Sequence, residues 1–418
     1  MESWKTDCMD NGNLRCGYTT GSAAAAAACA AYRCRISGEK PEQVRLTLPD
    51  GSLLSVPVSE VSENHAVVVK DGGDDPDCTH GAVLFARLSA CAPDDARPED
   101  HRLDAGAAVL ILRAVEGIGR CTRQGLDCPP GKWAVTGGPR RLLVENLARA
   151  GMTDGCWLLE LGVENGAELA RHTLNPRLGV EGGISILGST GLVRPYSHAA
   201  YVETVRLCVR ARQRSGGREM VFCTGGRTQA GARRQLPHWP ESAFVCIGDF
   251  IADSLGIAAR HRMQEVVVAC MAGKLCKYAA GFANTHAHQV EQDMALLRRQ
   301  VQACLPGETA LHEALHHSAS VREALLSIPE AGRQPVLHGL ARAALEHFSR
   351  RAPGVPSLHL LVFDFNGAFL FKESLRHAPG TVAAPLPSPD DGTTDSPEDT
   401  SSDGQAPDIG LRYFIDRP

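Results

Sequence analysis

The sequence predicts a protein of mixed α and β structure with two domains. The N-terminal domain is expected to be α+β with a mixed sheet, and the C-terminal domain α/β with a mostly parallel sheet. The chain has 418 residues, 43% hydrophobic and 22% charged, which is ordinary for a globular protein with room for two cores. Its first half contains short alternating stretches joined by turns, as antiparallel strands do. Its second half repeats a strand, a glycine-rich loop and a helix, which is typical of a parallel sheet covered by helices.

The expected domains are residues 1–150 and 151–376, followed by a tail at 377–418. The tail is rich in Pro, Ser, Asp and Gly. Such a segment cannot bury enough apolar surface to offset the entropy lost on ordering. We therefore expect a disordered acidic tail that lies outside both domains.

The N-terminal domain begins with the stretch GYTTGSAAAAAACAA, residues 17–31. Glycines permit tight turns, and Thr20 or Ser22 can cap the helix that follows. The first N–H groups of a helix lack intrahelical partners, so they favour an anion or a polar ligand. The alanines would let another surface approach the helix closely. The alternative is a capped helix that is packed in the core and binds no ligand.

The remaining elements of this domain follow from alternation and turn signals. Pro-Asp-Gly at 49–51 predicts a hairpin between two alternating stretches. A leading proline and a trailing glycine predict a helix over 139–151. Further strands are expected at 65–71, 82–90 and 107–115.

In the C-terminal domain, apolar stretches that end in glycine-rich loops alternate with helical patterns. Ligands usually lie at the carboxyl ends of parallel strands, where these loops would be. The expected strands are 156–163, 183–193, 220–226, 242–248, 264–273 and 355–364, and the expected helices are 196–214, 249–261 and several within 274–348.

Two glycine-rich loops resemble the opening stretch. GGISILGSTGLVRPYS, residues 182–197, brings Gly188, hydroxyl groups and Arg194 to a helix start, which suits a ligand that carries carboxylates. CTGGRTQAGARR, residues 223–234, follows another strand. Neither loop matches GxGxxG or GxxxxGK[ST], so the sequence contains no Rossmann fingerprint and no P-loop.

The stretch DGGDDPDCTHG, residues 71–81, places four aspartates beside His80. Carboxylates that lie close together repel one another, which can raise one pKa and leave a proton acceptor. They could also bind a hard cation, although the spacing is not that of an EF-hand. A solvated acidic turn is the alternative.

Histidines occur in two further stretches. Thr285 and His286 follow a segment that contains Lys274. His286 and His288 cannot share one helix face, so a single histidine acting as acid, base or hydrogen-bond donor is favoured. HEALH, residues 312–316, matches the HExxH zinc-peptidase pattern, but a solvated helix face is the preferred interpretation.

Composition excludes several classes of protein. A net charge of −5 argues against a protein that coats nucleic acid. We expect no signal peptide and no membrane helix. The fifteen cysteines form no CxxC pair, so we expect reduced thiols in the cytoplasm and no iron–sulfur cluster. The oligomeric state is left open, with a homo-oligomer as one alternative.

Five stretches in order resemble the CbiD family, the cobalt-precorrin-5B (C-1)-methyltransferases of anaerobic cobalamin biosynthesis. The resemblance covers about Leu14 to Gly367. The matching stretches are LRCGYTTGSAAAAAACAA, VVVKDGGDDPDCTHGA, GIGRCTRQGL, NPRLGVEGGISILGSTGLVRPYS and GKLCKYAAGFANTH.

The resemblance implies methyl transfer from S-adenosylmethionine to C-1 of cobalt-precorrin-5B, which gives cobalt-precorrin-6A. Cobalt would arrive inside this tetrapyrrole, so no metal site in the protein is expected. Methyl transfer requires in-line placement of the reacting atoms, so positioning should dominate catalysis. Alanines 23–28 would then lie against the flat macrocycle or the cofactor.

The residue types in the matching stretches suggest roles. Asp75 and His80, then His286, are the expected base or proton relay. We expect residues 19–22, 74–80 and 188–194 to form one pocket. The residues expected to bind cofactor or substrate are Thr19, Thr20, Gly21, Ser22, Asp74, Asp77, Arg177, Gly188, Ser189, Thr190, Arg194, Gly225, Gly226, Lys274 and Thr285.

This chain departs from the pattern of the family at three places. VTGGPR at Val135–Arg140 stands where INPVPR is usual, Met271 replaces a histidine, and Glu291 replaces an aspartate. If the missing histidine were catalytic, the chain would be slow or would act on a variant substrate. Two alternatives for the function stay open: a zinc hydrolase using His312 and His316, and a non-catalytic tetrapyrrole-binding protein.

Overall fold

The computed structural model describes residues 14–123, 126–286, 294–318 and 321–377. The chain divides into two compact units, whose described residues are 14–207 and 208–377. Apart from His377, the expected tail lies outside the described residues.

The expected domain boundary at residue 150 lies inside the first unit. The strand that follows it, Cys156–Val163, pairs in parallel with Ala108–Glu116 and antiparallel with Val83–Ala90. These two ladders make the strand part of the first unit's sheet, and the first unit therefore continues to Leu207.

The first unit contains strands β1 to β12 and helices α1 to α3. The strands are β1 Gly17–Tyr18, β2 Gln43–Thr47, β3 Leu53–Pro57, β4 Glu60–Ser62, β5 His65–Val69, β6 Val83–Ala90, β7 His101–Ala105, β8 Ala108–Glu116, β9 Arg120–Cys121, β10 Cys156–Val163, β11 Val180–Glu181 and β12 Leu192–Val193. The helices are α1 Thr20–Ser37, α2 Gly137–Arg149 and α3 Gly166–Arg171.

Six of the described strands form one mixed sheet in the order β4-β5-β6-β10-β8-β7. β10 runs parallel to β8, and the other neighbours are antiparallel. The predicted hairpin is β2–β3, whose turn has Gly51 at φ +83°, a conformation that glycine adopts without strain. The predicted mixed sheet is thus confirmed.

Helix α1 lies in the hydrophobic core of the first unit. Every residue from Ala23 to Ala31 is at most 2% exposed, and the helix packs against α2, β5 and β6. Because single methyl groups surround the helix, its neighbours approach the backbone closely from several sides. The expectation that the alanines face a ligand is therefore wrong, because the alanine stretch is packed in the core of the protein.

The second unit begins within α4, His198–Arg214, which contains the division after Leu207. Its strands are β13 Glu219–Cys223, β14 Phe244–Cys246, β15 Glu265–Met271, β16 Ser357–Phe363 and β17 Phe369–Arg376. Its further helices are α5 Gly226–Gln235, α6 Ile251–Arg260, α7 Ala272–Ala279, α8 Met294–Cys304, α9 Thr309–His317, α10 Val321–Ser327 and α11 Glu330–Arg351.

Five of the described strands of the second unit form one sheet in the order β14-β13-β15-β16-β17. The first four are parallel, as predicted, and β17 is an antiparallel edge strand that the sequence did not predict. Val267 and Ala269 pack in one cluster with Ala232 of α5. Val266 and Val268 alternate with them and are also fully buried, so both faces of the sheet are covered.

The strand order places a topological switch point at β13. Counted along the chain within this unit, the order is 2-1-3-4-5, so successive connections leave β13 toward opposite edges. In open α/β sheets of this kind, a crevice forms at the carboxyl ends of the two strands that flank the switch point. Here those strands are β13 and β15.

All cysteines that the structure describes have free thiols. Among the described helices, none combines the length and the apolar character that crossing a bilayer requires.

The packing around α1 generates a stability prediction. Ala26→Leu should lower the free energy of unfolding by about 1–3 kcal/mol, because a well-packed core has no room for the added methyl groups. Denaturant unfolding followed by circular dichroism measures this. The control is Arg35→Leu on the exposed end of the same helix, where leucine and arginine have similar helix propensities. Equal stability of both variants and the wild type would contradict the account of α1.

Candidate functional site

Three segments that are distant in the sequence meet at the start of α1: residues 19–22, 74–80 and 188–194. The N–H of Thr19 donates to the carbonyl oxygen of Gly191 at 3.1 Å. The N–H of Tyr196, just beyond the third segment, donates to Oδ1 of Asp75 at 3.2 Å. The juxtaposition that the sequence predicted is therefore present in the first unit.

Glycine is required where these backbones cross. An added Cβ at Gly17 would overlap the backbone of Gly72. Gly188 has φ +131°, and a Cβ there would overlap the side chain of Thr19. At these two positions, the glycines of the matching stretches are explained by close approach of one chain segment to another.

Thr19 is the N-cap of α1, in place of the expected Thr20 or Ser22. Its Oγ1 accepts the N–H of Ser22 at 3.0 Å. The Thr20 hydroxyl donates to the carbonyl oxygen of Leu187 at 3.2 Å and accepts its N–H at 3.0 Å, while Ser22 Oγ donates to Gly191 at 2.7 Å. These groups join the helix start to the third segment, so their part in ligand binding stays a prediction.

Two of the four aspartates of the acidic turn, Asp71 and Asp77, have basic partners. The Arg15 side chain forms an ion pair with Asp71, and the Arg15 N–H donates to Oδ2 of Asp74 at 2.6 Å. Lys70 Nζ donates to Oδ2 of Asp77 at 2.6 Å, and both of these side chains are at most 5% exposed. Two of the four carboxylates are therefore neutralised by a neighbouring cation.

Two of these carboxyl groups have a lowered pKa. The hydrogen bond from Arg15 lowers the pKa of Asp71. Burial raises the pKa of Asp77, but the charge and hydrogen bond of Lys70 and the hydrogen bonds of Thr79 outweigh it, so the net pKa is lowered. The expected rise through mutual repulsion therefore does not apply to Asp71 or Asp77, because a cation lies nearer to each than another carboxylate does.

Asp75 and His80 stay the predicted proton-transfer groups of the first unit. Asp75 is 5% exposed and is joined through Oδ1 to Tyr196, whose φ of +54° is uncommon for a residue with a bulky side chain. Nδ1 of His80 accepts the N–H of Gly72 at 3.0 Å, and 55% of its side chain is exposed. A neutral His80 therefore carries its proton on Nε2.

A small cavity of about 20 Å³, with room for a bound water, opens beside the start of α1. Within the described part of the chain, Oδ1 of Asn175 and Oγ of Ser185 are buried without a hydrogen-bond partner. Buried polar atoms are nearly always hydrogen-bonded, so a bound polar group or water is expected here. The lining residues are Thr19, Thr20, Lys70, Asp77, Thr79, Thr173, Asn175, Ile184, Ser185, Leu187 and Val193.

Sequence reasoning missed several polar residues of this cavity. Lys70 directly follows β5, and Asn175 and Ser185 lie within the matching stretch NPRLGVEGGISILGSTGLVRPYS. That stretch was a signal for these two, but nothing in local periodicity distinguishes a cavity-lining serine from a core one. Asn175 is oriented by its Nδ2, which donates to Thr173 Oγ1 at 2.8 Å.

The remaining predicted residues of the first unit do not line the cavity among the described residues. The Arg177 carbonyl oxygen accepts from the Arg123 side chain at 2.6 Å, and the Arg177 side chain is partly exposed. Arg194 is exposed, and Thr190 Oγ1 accepts the N–H of Leu192 at 3.3 Å. Ser189 is partly exposed on the same loop.

The second unit has its own polar cluster at the carboxyl ends of its strands. Asp249 follows β14, and its Oδ1 accepts Lys274 Nζ at 2.9 Å and Thr285 Oγ1 at 2.8 Å. Lys274 also donates to the carbonyl oxygen of Gly248 at 2.7 Å. Burial raises the pKa of Asp249, but the hydrogen bond and charge of Lys274 dominate, so the net pKa is lowered.

This arrangement qualifies the predicted role of Lys274. Its charge was expected to bind substrate carboxylates, yet its nearest anion is Asp249 of its own unit. His286 lies close enough for its charge to lower the pKa of Asp249, and its N–H donates to Oδ1 of Asn284 at 2.9 Å. His288 and Glu291 lie outside the described residues.

The HEALH segment lies on α9, as expected. His312 Nε2 is 2.9 Å from the carbonyl oxygen of Leu305. A search of the described residues finds no group of three or more His, Cys, Asp or Glu side chains arranged to bind a metal ion. The geometry therefore gives the zinc alternative no support.

Known families and proteins match this chain over most of its length. The family model described as CbiD matches residues 7–195, and the one described as CbiD, C-terminal domain, matches residues 284–374. A crystal structure titled cobalamin biosynthesis protein (cbiD) from Archaeoglobus fulgidus aligns with a TM-score of 0.36 and 26% identity, over 64% of this chain and 80% of that chain.

Three relatives carry the name cobalt-precorrin-5B C(1)-methyltransferase. The protein of Dechloromonas aromatica (strain RCB) is 39% identical over 86% of this chain and 91% of its own length. That of Salinispora arenicola (strain CNS-205) is 38% identical over 87% and 94%. That of Geobacillus kaustophilus (strain HTA426) is 34% identical over 89% and 96%. With matches of this identity and coverage, the chain belongs to the CbiD family.

Proposed function

We propose that this protein transfers a methyl group from S-adenosylmethionine to C-1 of cobalt-precorrin-5B, giving cobalt-precorrin-6A. The observation that carries the proposal is the match to relatives of that name over nearly their whole length, at 34–39% identity. The cobalt belongs to the tetrapyrrole substrate.

The cavity of the first unit supports the binding of a polar arm of the substrate. Ser185 Oγ and the Lys70 ammonium can donate to a carboxylate, and Asn175 Oδ1 can accept from a water bound beside it. Burial strengthens these hydrogen bonds because the local dielectric is low. We propose this cavity as the subsite for one acetate or propionate arm.

Groups at the surface of the same unit would bind further arms. Arg177 and Arg194 are partly or fully exposed, and a guanidinium group binds a carboxylate through two parallel hydrogen bonds. Their exposure lets them reach arms that project from the macrocycle. Ser189 and Thr190 offer hydroxyls on the same loop as Arg194.

S-adenosylmethionine supplies the methyl group and carries the leaving thioether. The residues of the chain orient the acceptor carbon, exclude water and accept a proton. We propose Asp75 and His80 for the proton, since one is a buried carboxylate and the other has its Nδ1 fixed by Gly72. His286 is the candidate in the second unit.

The proposed reaction has a direct test. The purified protein is incubated without oxygen with cobalt-precorrin-5B and methyl-labelled S-adenosylmethionine, and label in the tetrapyrrole is measured by mass spectrometry. We expect one labelled methyl group per tetrapyrrole and an equal amount of S-adenosylhomocysteine. Tetrapyrrole binding without label transfer, with an active relative as control, would contradict the proposal and favour a carrier.

The cavity generates a prediction that separates the two substrates. Ser185→Ala should raise KM for the tetrapyrrole about tenfold and leave KM for the methyl donor unchanged, because a hydrogen bond to a charged group is worth about 1.5–3 kcal/mol. Asn175→Ala, which removes only an acceptor for a bound water, should raise the same KM less. Steady-state kinetics at saturating donor measures this. Ser37→Ala, at the exposed end of α1, is the matched control. A larger effect on KM for the donor would refute the assignment of the subsite.

The wall of the cavity generates a stability prediction. Asp77→Asn should lower the free energy of unfolding by about 3–5 kcal/mol, because it leaves Lys70 charged and buried. The double variant Lys70→Met, Asp77→Asn should recover most of the loss while the amide still accepts from Thr79.

The same ion pair generates a prediction for pH. Since the folded pKa of Asp77 is lowered, the ion pair stabilises the protein above the unfolded pKa of about 3.9. This stabilisation is lost as the pH falls through the lower folded pKa. Denaturant unfolding at neutral and acid pH tests both statements, and a double variant as unstable as Asp77→Asn would contradict them.

A further inference from the structure

The second unit has a crevice of its own, at the carboxyl ends of β13 and β15. It lies at the topological switch point of the second unit's sheet, where open α/β sheets bind ligands. Three loops converge there, and each directly follows a parallel strand. They are Thr224 to Gly226 after β13, Ile247 to Asp249 after β14, and the start of α7 after β15.

Gly225 leaves space beside the first of these loops. Among the described residues, an added Cβ at Gly225 would meet no heavy atom within 4 Å. Its φ of 171° is extended backbone that any residue adopts, so its glycine is not explained by backbone strain. In dinucleotide-binding folds, a glycine after the first strand lets a ligand approach the backbone.

Asp249 is the acidic group at the end of the second strand, 24 residues after Gly225. In dinucleotide-binding folds, an acidic residue about 20 residues beyond the glycine loop binds a ribose hydroxyl, and Asp249 has the corresponding place here. Lys274 and Thr285 both donate to Oδ1 of Asp249 and fix the carboxylate in place. Oδ2 is the oxygen on which the two ribose hydroxyls are expected.

α7 also carries a buried hydroxyl group, on Tyr278, whose ring packs edge-on against Phe348 of α11 and which lies close enough to Asp249 to be affected by its charge. Tyr278 is 1% exposed, and its hydroxyl has no hydrogen-bond partner within the described chain. It lies four residues after Lys274 and therefore on the same face of the helix. Burial, with the charges of Cys270 and Asp249, raises its pKa well above the usual value, so the group stays a neutral donor. A hydroxyl in this state is expected to have a bound partner.

The loop chemistry favours a nucleoside over a nucleotide. Residues 223–234 contain neither GxGxxG nor GxxxxGK[ST], the two patterns that bind phosphate groups. S-adenosylmethionine has a ribose diol but no phosphate. We infer that this crevice binds the adenosyl group of the methyl donor, with Asp249 on the ribose hydroxyls and Gly225 providing room beside the backbone. The inference rests on the proposed methyl transfer.

Gly225→Leu tests the inference, because the Cβ of the new side chain meets no heavy atom of the described residues within 4 Å and the rest of the leucine would occupy the space proposed for the ligand. Isothermal titration calorimetry with S-adenosylhomocysteine should show affinity lowered at least about tenfold, through lost contacts and blocked access. Asp249→Ala should lower it similarly. Gly307→Leu, at an exposed glycine of this unit with open space around its Cβ position, should bind like the wild type. Thermal unfolding shows whether each variant is folded.

The outcomes separate this inference from the proposed function. If the wild type binds S-adenosylhomocysteine and folded Gly225→Leu binds it with the same affinity, the inference is overturned while the proposed methyl transfer stays intact. A wild type that binds no S-adenosylhomocysteine and transfers no methyl group would overturn both. ATP competing as strongly as S-adenosylhomocysteine would overturn the assignment to a phosphate-free nucleoside. Loss of binding in both crevice variants but not in Gly307→Leu is the expected result.

Discussion

Close approach of backbone to backbone at the start of α1 is the constraint on which the first unit depends. Thr19 and Gly21 donate to carbonyl groups about 170 residues away, and the glycines on both sides leave room for these contacts. The alanines of α1 allow an equally close approach in the core, because their small side chains let α2, β5 and β6 pack almost directly on the helix backbone. Dense packing of this kind transmits any added volume as strain. It also fixes the acidic turn and the cavity relative to α1.

The two units present different chemistry. In the first, buried hydroxyls, an amide oxygen and an ion pair surround a cavity. In the second, an acidic group fixed by Lys274 lies at the ends of parallel strands beside an open glycine loop. The first set suits charged arms of a large substrate, and the second suits a nucleoside. The proposed reaction has two substrates of these two kinds, a polycarboxylate tetrapyrrole and a nucleoside-based methyl donor.

The sequence predicted those elements that are specified by a short run of residues, such as a turn sequence or an apolar stretch. The β2–β3 hairpin has a turn sequence, and β13 to β16 are apolar stretches that end in glycine loops, so their prediction is confirmed. β17 was missed because its alternating exposure is that of an edge strand with many charged residues. The role of the alanines was misjudged, since a helix with no polar face is compatible with ligand contact and with complete burial. Asn175 and Ser185 could not be identified, because a cavity is defined by residues that are remote in sequence.

Native-state hydrogen exchange at the start of α1 tests the central claim most directly. Mass spectrometry of peptides covering residues 17–22 and 186–191 reports the exchange rates of the amides that join these segments. If the close approach organises the first unit, these amides exchange as slowly as those of β8 and β10, through global unfolding. Exchange as fast as that of the exposed turn at residues 49–51 would show that the contacts open independently and would contradict the account.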